Sequence, residues 1–280
     1  MIKEIRHQTL FALKRIPAIG AFFILLAIVL FNFVSNIFAF QGSDVVEMYH
    51  PAKILAISYN RVYYNADVTL LLIQIYPILV VCPAGFTLIS EKNRKIDYLL
   101  ISRISGVKYY VSKAISSFFA TMIIFVTPFF IEMVLTLFSF PIAATGDFTN
   151  LNKFSPEYVE MAEHYFFSEL FQQHPYLYTA LGILIFGIFS GTIGMFTVAL
   201  SALITFPYKI LLFLPAFVLL NATLYIPEII GNLPFSLRWY DYILLFDDNL
   251  KSGRSFSLFM ISLLVVSVVC SILKGVSDQI

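Results

Sequence analysis

Charge is scarce in this chain. Only 12% of its 280 residues are Asp, Glu, Lys or Arg, whereas 59% are hydrophobic and the mean hydropathy is +0.85. A water-soluble domain of this size cannot hide so much apolar surface. The composition therefore excludes a soluble globular protein and predicts a chain that is solvated mainly by lipid.

Cysteine is also rare, and a nucleotide-binding motif is missing. The two cysteines, Cys82 and Cys270, lie far apart in apolar runs, which indicates neither a disulfide framework nor a metal pair. The chain has no G-x-x-x-x-G-K-[ST] sequence and hence no P-loop. We expect no catalytic residue, no metal site, no cofactor in this chain and no nucleic-acid partner.

Six apolar runs are long enough to cross a bilayer as helices, which takes roughly 20 residues. They are apolar on all sides and lack the alternating polarity of barrel strands, so helices are predicted. We predict one membrane domain over residues 1–280, with spans at 16–40, 68–89, 114–140, 176–205, 209–226 and 256–273. The fold class is an all-α integral membrane protein.

Basic residues are distributed unevenly between the predicted loops. If the N-terminus is cytoplasmic, twelve of the 18 Lys and Arg residues fall on the cytoplasmic side. An excess of Lys and Arg marks the cytoplasmic side of membrane proteins. Both termini are therefore predicted to be cytoplasmic.

The cytoplasmic segment 90–113 combines this charge with an apolar pattern. Ile96, Leu99, Leu100 and Ile104 fall near one helical face, and Asp97 lies away from the centre of that face. The pattern indicates a short amphipathic helix, a break at Ser105-Gly106 and a helix that continues into the third span. One interpretation is an ordinary basic loop. The other is a docking helix for a cytoplasmic partner, since an ordinary loop needs no apolar face.

The N-terminal residues 1–15 repeat this mixture of apolar and basic residues. Ile2, Ile5, Leu10 and Leu13 alternate with Lys and Arg, which suits a helix lying at the inner membrane interface beside lipid headgroups. Pro17 marks the turn into the first span.

Taken together, these segments resemble a known family. An N-terminal interfacial helix and a first span are followed by a second span ending in Ser90-Glu91-Lys92, then Tyr98-Leu99-Leu100-Ile101-Ser102, then Lys108-Tyr109-Tyr110-Val111-Ser112-Lys113 and four more spans. This order resembles a permease subunit of an ABC-2 type transporter. The resemblance implies that segment 90–113 is a coupling helix docking on a separate P-loop ATPase, which would bind ATP and Mg. The residues implied in coupling are Glu91, Arg94, Leu99, Leu100, Arg103 and Ile104.

Two segments on the outer side have patterns of their own. Residues 141–175 contain Ser155-Pro156, a typical helix start, followed by an acidic helix that would form a lid or a solvated helix packed on the spans. Residues 227–255 are expected to form short extracellular or re-entrant helices hinged at Asn232-Leu233-Pro234, or an amphipathic surface loop. Within them, Trp239, Tyr240 and Tyr242 are typical interface anchors.

Glu132 is the one formally charged residue deep inside a predicted span. A carboxylate at such a depth is costly and is by default a functional candidate. It would line a substrate cavity and hold a cationic group, or it would be protonated or bonded to a polar residue of another span. Ser190 and Asn221 are the expected partners.

The resemblance implies a permease of an ATP-driven exporter in the bacterial cytoplasmic membrane. Two such chains, identical or homologous, would face each other among the membrane lipids. Twelve of the 17 Asp and Glu residues fall on the predicted outer side, and this acidic exterior together with Glu132 favours a substrate such as a cationic or antimicrobial peptide. Two other functions stay open: a proton-coupled secondary transporter that uses Glu132, and a non-transporting membrane anchor or sensor subunit.

Overall fold

The computed structural model describes residues 2–44, 50–59, 66–93, 96–142, 166–204, 206, 208–230, 236–247, 249 and 251–278. The described part is built from eleven α-helices and two short 3-10 turns, Pro51–Ile54 and Lys209–Leu212. The helices are α1 Ile2–Leu13, α2 Ile16–Ala39, α3 Ala66–Leu79, α4 Gly85–Asn93, α5 Ile96–Ile104, α6 Gly106–Ser139, α7 Ser168–Gln173, α8 Pro175–Leu203, α9 Phe213–Ile230, α10 Trp239–Ile243 and α11 Gly253–Ser277.

Four of the described helices are long and apolar enough to cross a membrane. They are α2, α6, α8 and α11, with 24, 34, 29 and 25 residues. At about 1.5 Å per residue, each exceeds the roughly 30 Å of a bilayer's hydrocarbon core. They confirm four of the predicted spans, and the chain is a helical membrane protein.

The second predicted span is not one continuous helix. Helix α3 ends at Leu79, residues 80–84 form a turn, and α4 begins at Gly85. Pro77 and Pro83 explain the interruption, because proline has no N–H to donate to the helical ladder. Backbone hydrogen bonds of the 3-10 type continue through this turn. The Cys82 N–H, for example, donates to the Leu79 carbonyl oxygen at 3.1 Å.

The fifth predicted span corresponds to a shorter apolar helix. Helix α9 begins at Phe213 and ends at Ile230, four residues beyond the prediction. Pro215 lies in its first turn, where a missing N–H costs nothing. Six spans therefore remain a prediction, since four continuous ones are present in the described residues.

Helix α8 lies at the centre of the bundle. Of its most apolar 18 residues, 72% are buried, against 28–39% for the other three long helices. Glycines bring α8 close to α6: a Cβ on Gly191 would lie 2.8 Å from the Phe118 carbonyl oxygen, and one on Gly194 would lie 2.5 Å from Thr121 Oγ1. This close approach makes α6 and α8 a tightly packed pair.

The bundle has two distinct ends. At one end, which we call the α5 end, α6 begins and α8 and α11 finish. The opposite end, the far end, holds α7 and the buried loop 50–59, which is joined to residue 245 by two backbone hydrogen bonds of 2.8 and 3.1 Å. The predicted helix after Ser155-Pro156 and the hinge at 232–234 lie outside the described residues.

Candidate functional site

Glu91, the first residue of the predicted coupling set, is buried at the α5 end. One carboxylate oxygen accepts a hydrogen bond from Lys113 Nζ at 2.5 Å, and the other accepts one from the Tyr109 hydroxyl at 2.6 Å. The Arg15 guanidinium lies 3.8 Å from the carboxylate. Glu91 therefore connects α4 to α6 and to the turn between α1 and α2, and its carboxylate is used inside the protein.

Lys92 makes a second connection from α4. Its Nζ donates to the carbonyl oxygens of Ser201 at 3.3 Å and Ala202 at 3.0 Å, in the last turn of α8. A cation there satisfies carbonyls that lack helical partners and complements the helix dipole. Partial burial, together with the neighbouring cation Lys274, lowers the pKa of Lys92. The sequence motif includes Lys92 but does not predict a contact for it.

Helix α5 lies against the bundle instead of standing clear of it. Leu100 and Ile101 pack on a cluster formed by four buried residues, and Ile104 is half-buried. The four are Leu88, Tyr109, Tyr110 and Ala202. Leu100 therefore anchors α5 to the protein itself, which removes the apolar face as an argument for a partner at that position.

Asp97 corrects the helical face drawn from the sequence. It is 6% exposed, and its Oδ1 has no hydrogen-bond partner among the described residues. The sequence pattern places it away from the centre of the apolar face because the pattern treats α5 as an isolated helix. Arg94 and the side chains of Leu99 and Arg103 lie outside what the structure describes.

The start of α6 is held by the end of α11. A Cβ on Gly106 would lie 2.5 Å from the Gly275 carbonyl oxygen, and one on Gly275 would lie 2.4 Å from Val107 Cα. Backbone atoms cannot move aside as a flexible side chain can. The Tyr110 hydroxyl also donates to Asp278 at 2.6 Å. The joint between α5 and α6 is thus fixed from two sides.

Glu132 is buried on α6 and is bonded to the first span. Its Oε1 accepts hydrogen bonds from Asn32 Nδ2 at 2.6 Å and from the Ala56 backbone N–H at 2.9 Å. Asn32 and Asn36 also donate to the Ile54 carbonyl oxygen, at 2.8 and 2.7 Å. The second carboxylate oxygen of Glu132, Oε2, has no hydrogen-bond partner among the described residues. The group fastens the loop 50–59 between α2 and α6.

Ser190 and Asn221 are not the partners of Glu132. The Ser190 hydroxyl shares a 3.0 Å hydrogen bond with the Tyr76 hydroxyl, and Asn221 donates to the Phe217 carbonyl oxygen one turn back in its own helix. The three residues predicted to share a cavity therefore occupy three separate places, and among the described cavities Glu132 lines none.

The aromatic residues expected as interface anchors lie largely inside the protein. Trp239 is 4% exposed, and its ring stacks on Tyr76 with centroids 4.7 Å apart. Tyr242 is buried against the ring of Phe256 at 5.0 Å, and Tyr240 is half-buried. Trp239 also stacks on Phe189, near the middle of α8, so α10 reaches into the bundle. The sequence alone does not identify the stacking partners of Trp239.

Two carboxyl groups that the sequence did not single out are buried here, Asp241 within α10 and Asp247 four residues after its end. The Ser236 hydroxyl donates to Asp241, and the Asn249 N–H donates to Asp247 at 3.0 Å. Burial and the neighbouring Asp247 raise the pKa of Asp241 to about 7. Within the described part of the chain, no three His, Cys, Asp or Glu side chains are grouped as a metal site requires.

No protein-family model, no curated protein and no solved structure matches this chain. The candidate functional site is the α5 end, where the predicted coupling segment meets the buried ion pair of Glu91 and Lys113.

Proposed function

We propose that the chain is the permease subunit of an ATP-driven exporter and that a separate P-loop ATPase docks at the α5 end. The observation that carries the proposal is the buried ion pair between Glu91 and Lys113. It links α4 to α6, the longest described helix, at the place where a short amphipathic helix lies between them. A buried ion pair is costly to desolvate and is useful where two elements must keep one geometry.

The helix contacts supply a route for movement. Helix α5 joins α6 through the single residue Ser105, and α6 packs against α1, α2, α5, α8 and α11. A push on α5 would reach α6 through the chain and through Glu91. It would reach α8 through Lys92. In this mechanism Glu91 transmits movement and does not itself contact the ATPase.

The docking surface in this proposal is polar. Asn93, Ser102 and Lys108 are exposed around α5, whereas Leu100 faces the bundle. We assign partner contact to this polar rim and, as predicted from the sequence, to Arg94, Leu99 and Arg103. A basic rim fits an ATPase surface with acidic residues.

The remaining parts of the proposal follow from the sequence. ATP and Mg would be bound by the ATPase, and a second permease chain would complete the transport path. The chain would lie in the bacterial cytoplasmic membrane with both termini inside. A cationic or antimicrobial peptide remains the proposed cargo class.

A second candidate is a proton-coupled carrier. The specific observation in its favour is Glu132 Oε2, which is buried and has no partner in the described part of the chain. A protonated carboxyl would fit that position. Against it, the other oxygen of Glu132 serves a hydrogen-bond group that holds a loop.

Affinity purification tests the first candidate directly. The tagged full chain would be isolated from its native membranes in mild detergent, and the co-purifying proteins identified. We expect a stoichiometric P-loop ATPase that is lost in Lys108→Glu and Arg103→Glu. Arg254→Glu, an exposed charge reversal near the start of α11, is the matched control and should retain the ATPase.

Four results contradict the proposal or replace it. An ATPase that is absent under several gentle conditions contradicts it. Equal loss in the Arg254→Glu control contradicts docking at the α5 end. Transport that persists without an ATPase and follows the proton gradient establishes the second candidate instead. A chain that neither transports nor recruits an ATPase would be an anchor or sensor.

A further inference from the structure

A cavity of about 170 Å³ lies beside α10, between α8, α9 and α11. Phe189 of α8 and Thr223 of α9 line it, together with Phe256 of α11. Trp239 and Tyr242 of α10 complete the wall. An apolar cavity of about 150 Å³ in another protein stays dry and binds benzene. This cavity has room for a short stretch of hydrocarbon.

The walls are apolar because aromatic rings form most of them. They are flat because neighbouring rings are nearly parallel. The Phe189 and Trp239 planes differ by 8°, and the Tyr242 and Phe256 planes differ by 5°. Phe189 and Phe256 stack at 17°, with their centroids 6.0 Å apart. Such surfaces favour methylene chains and disfavour anionic groups.

The hydroxyl groups in the wall are already bonded within the protein. Thr223 donates to the Leu220 carbonyl oxygen at 2.7 Å, and the Ser255 hydroxyl bonds to Ser252 Oγ at 3.0 Å. The Tyr242 hydroxyl donates to the Ser236 carbonyl oxygen at 2.6 Å. A ligand therefore meets little unsatisfied polarity, and the cavity selects an apolar group.

The cavity is partly open, and its surroundings identify what can enter. Tyr225, two residues after Thr223 on α9, is 60% exposed, and Leu258, between the lining residues of α11, is 68% exposed. Helix α11 is a membrane-spanning helix, and large apolar residues cover the outer faces of both helices. A molecule that enters the cavity between these two helices would come from the bilayer.

A cation stands next to the lining residues. Arg238 is exposed and lies between Leu237 and Trp239, both of which line the cavity. A guanidinium group is well suited to bind a phosphate, with two parallel hydrogen bonds. Arg238 also hydrogen-bonds to Tyr240 and lies close enough to Asp241 to act on its charge, so the cation stays at the α10 side of the cavity. An apolar cavity and an exposed arginine in the same short segment match the two parts of one molecule.

From this arrangement we infer that the cavity binds an acyl chain of an anionic glycerophospholipid of the surrounding membrane, with the lipid phosphate at Arg238. This site does not depend on the proposed transport function. The lipid would occupy the space under α10 and hold that helix in place.

The chain contains one tryptophan, which makes the site directly observable. Trp239 is 4% exposed, so lipid that stays outside the protein has little access to its ring. The purified full chain would be reconstituted in phosphatidylglycerol vesicles with and without bromine atoms at mid-chain, and in matched phosphatidylcholine vesicles. We expect brominated phosphatidylglycerol to quench Trp239 fluorescence strongly and brominated phosphatidylcholine to quench it less.

Variants locate the quenching in the cavity. Thr223→Phe fills the cavity and should lose most of the quenching, whereas Phe259→Ala enlarges it and should increase the quenching. Val218→Phe, on the exposed face of the same helix as Thr223, is the matched control and should leave it unchanged. Arg238→Gln should reduce quenching by phosphatidylglycerol to the phosphatidylcholine level.

Four results would overturn the inference. Absence of quenching excludes the acyl chain. Equal quenching in the wild type and Thr223→Phe shows that bromine acts from the protein boundary. If Thr223→Phe does not fold, a lack of increase in Phe259→Ala has the same meaning. Quenching by brominated phosphatidylglycerol that is unchanged in Arg238→Gln overturns the phosphate assignment.

Discussion

The ammonium group of Lys113 lies 2.5 Å from a carboxylate oxygen of Glu91, and the two side chains are only 5% and 7% exposed. They join helices that are separated along the chain by α5. Glu91, which the sequence predicts to couple to a partner, is therefore an internal connection between two helices. The chemistry of the α5 end is therefore to hold α4 and α6 in one arrangement.

Replacing one partner of the ion pair should destabilise the protein more than replacing both. We expect Lys113→Met to destabilise the protein by about 3 kcal/mol or more, because the Glu91 charge stays buried with weaker compensation. Lys113→Met combined with Glu91→Met should recover part of this loss. Thermal unfolding in detergent measures both, with Lys14→Met as the exposed control. Equal stability of the Lys113→Met and Lys14→Met variants would show that the ion pair has no structural role.

The joint between α6 and α11 gives a steric prediction. Gly275→Ala places a methyl group against the backbone of Val107, and overpacking of this kind costs about 1–3 kcal/mol. Gly20→Ala in α2 is the matched control because nothing lies within 4 Å of its Cβ position. The control should be neutral or gain up to about 1 kcal/mol of helix propensity. If both variants unfold at the same temperature, the two backbones are not in close contact.

The features that could be predicted from the sequence are those encoded in neighbouring residues. The apolar run of the first span ends within one residue of helix α2, and the break before Gly106 is visible as Ser-Gly. Pro77 and Pro83 are visible in the sequence, but proline inside an apolar run does not by itself show where the helix of the second span is interrupted. Local pattern thus fixed most of the long helices.

The candidate site was predicted less well because its contacts are distant along the chain. Asn32 and Glu132 are 100 residues apart, and no spacing rule connects them. Asp97 was misplaced because a helical wheel shows the faces of one helix and not which of them a neighbour covers. Single-sequence patterns identify buried polar residues as candidates but do not identify their partners.

Asp241 makes stability depend on pH. Its pKa is about 7 in the folded protein against an ordinary value of 3.8, so the folded state keeps this proton longer than the unfolded state. Stability should therefore fall as pH rises from about 4 to about 7, by at most about 1.4 kcal/mol per pH unit, and then level off. Thermal unfolding across this range should show a smaller slope in Asp241→Asn.

The matched control for Asp241 is Asp67→Asn, which removes an exposed carboxyl from the first turn of α3. It should leave the pH slope unchanged. A slope in Asp241→Asn equal to that of the wild type would place the titrating group elsewhere. Asn retains an acceptor for the Ser236 hydroxyl, so the substitution tests the proton and not the hydrogen bond.

Substitutions of Glu132 distinguish a carboxyl group with a structural role from one that carries a proton. Gln at this position keeps an oxygen that accepts from Asn32 and Ala56, but it cannot release a proton. In the permease proposed here, Glu132→Gln should fold and transport like the wild type. Glu132→Leu should be destabilised by about 1–3 kcal/mol, because the buried donors of Asn32 and Ala56 are left unpaired.

Asn32→Ala tests the same hydrogen-bond group from the first span. It should approach the loss seen in Glu132→Leu, whereas Asn221→Ala, which breaks a bond within one helix, should change stability little. Unfolding temperature and transport are measured together for each variant. If Glu132→Gln folds normally but stops transport, the carboxyl proton is needed for movement of the substrate. The chain would then be coupled to a proton gradient through a group that also fastens its loop.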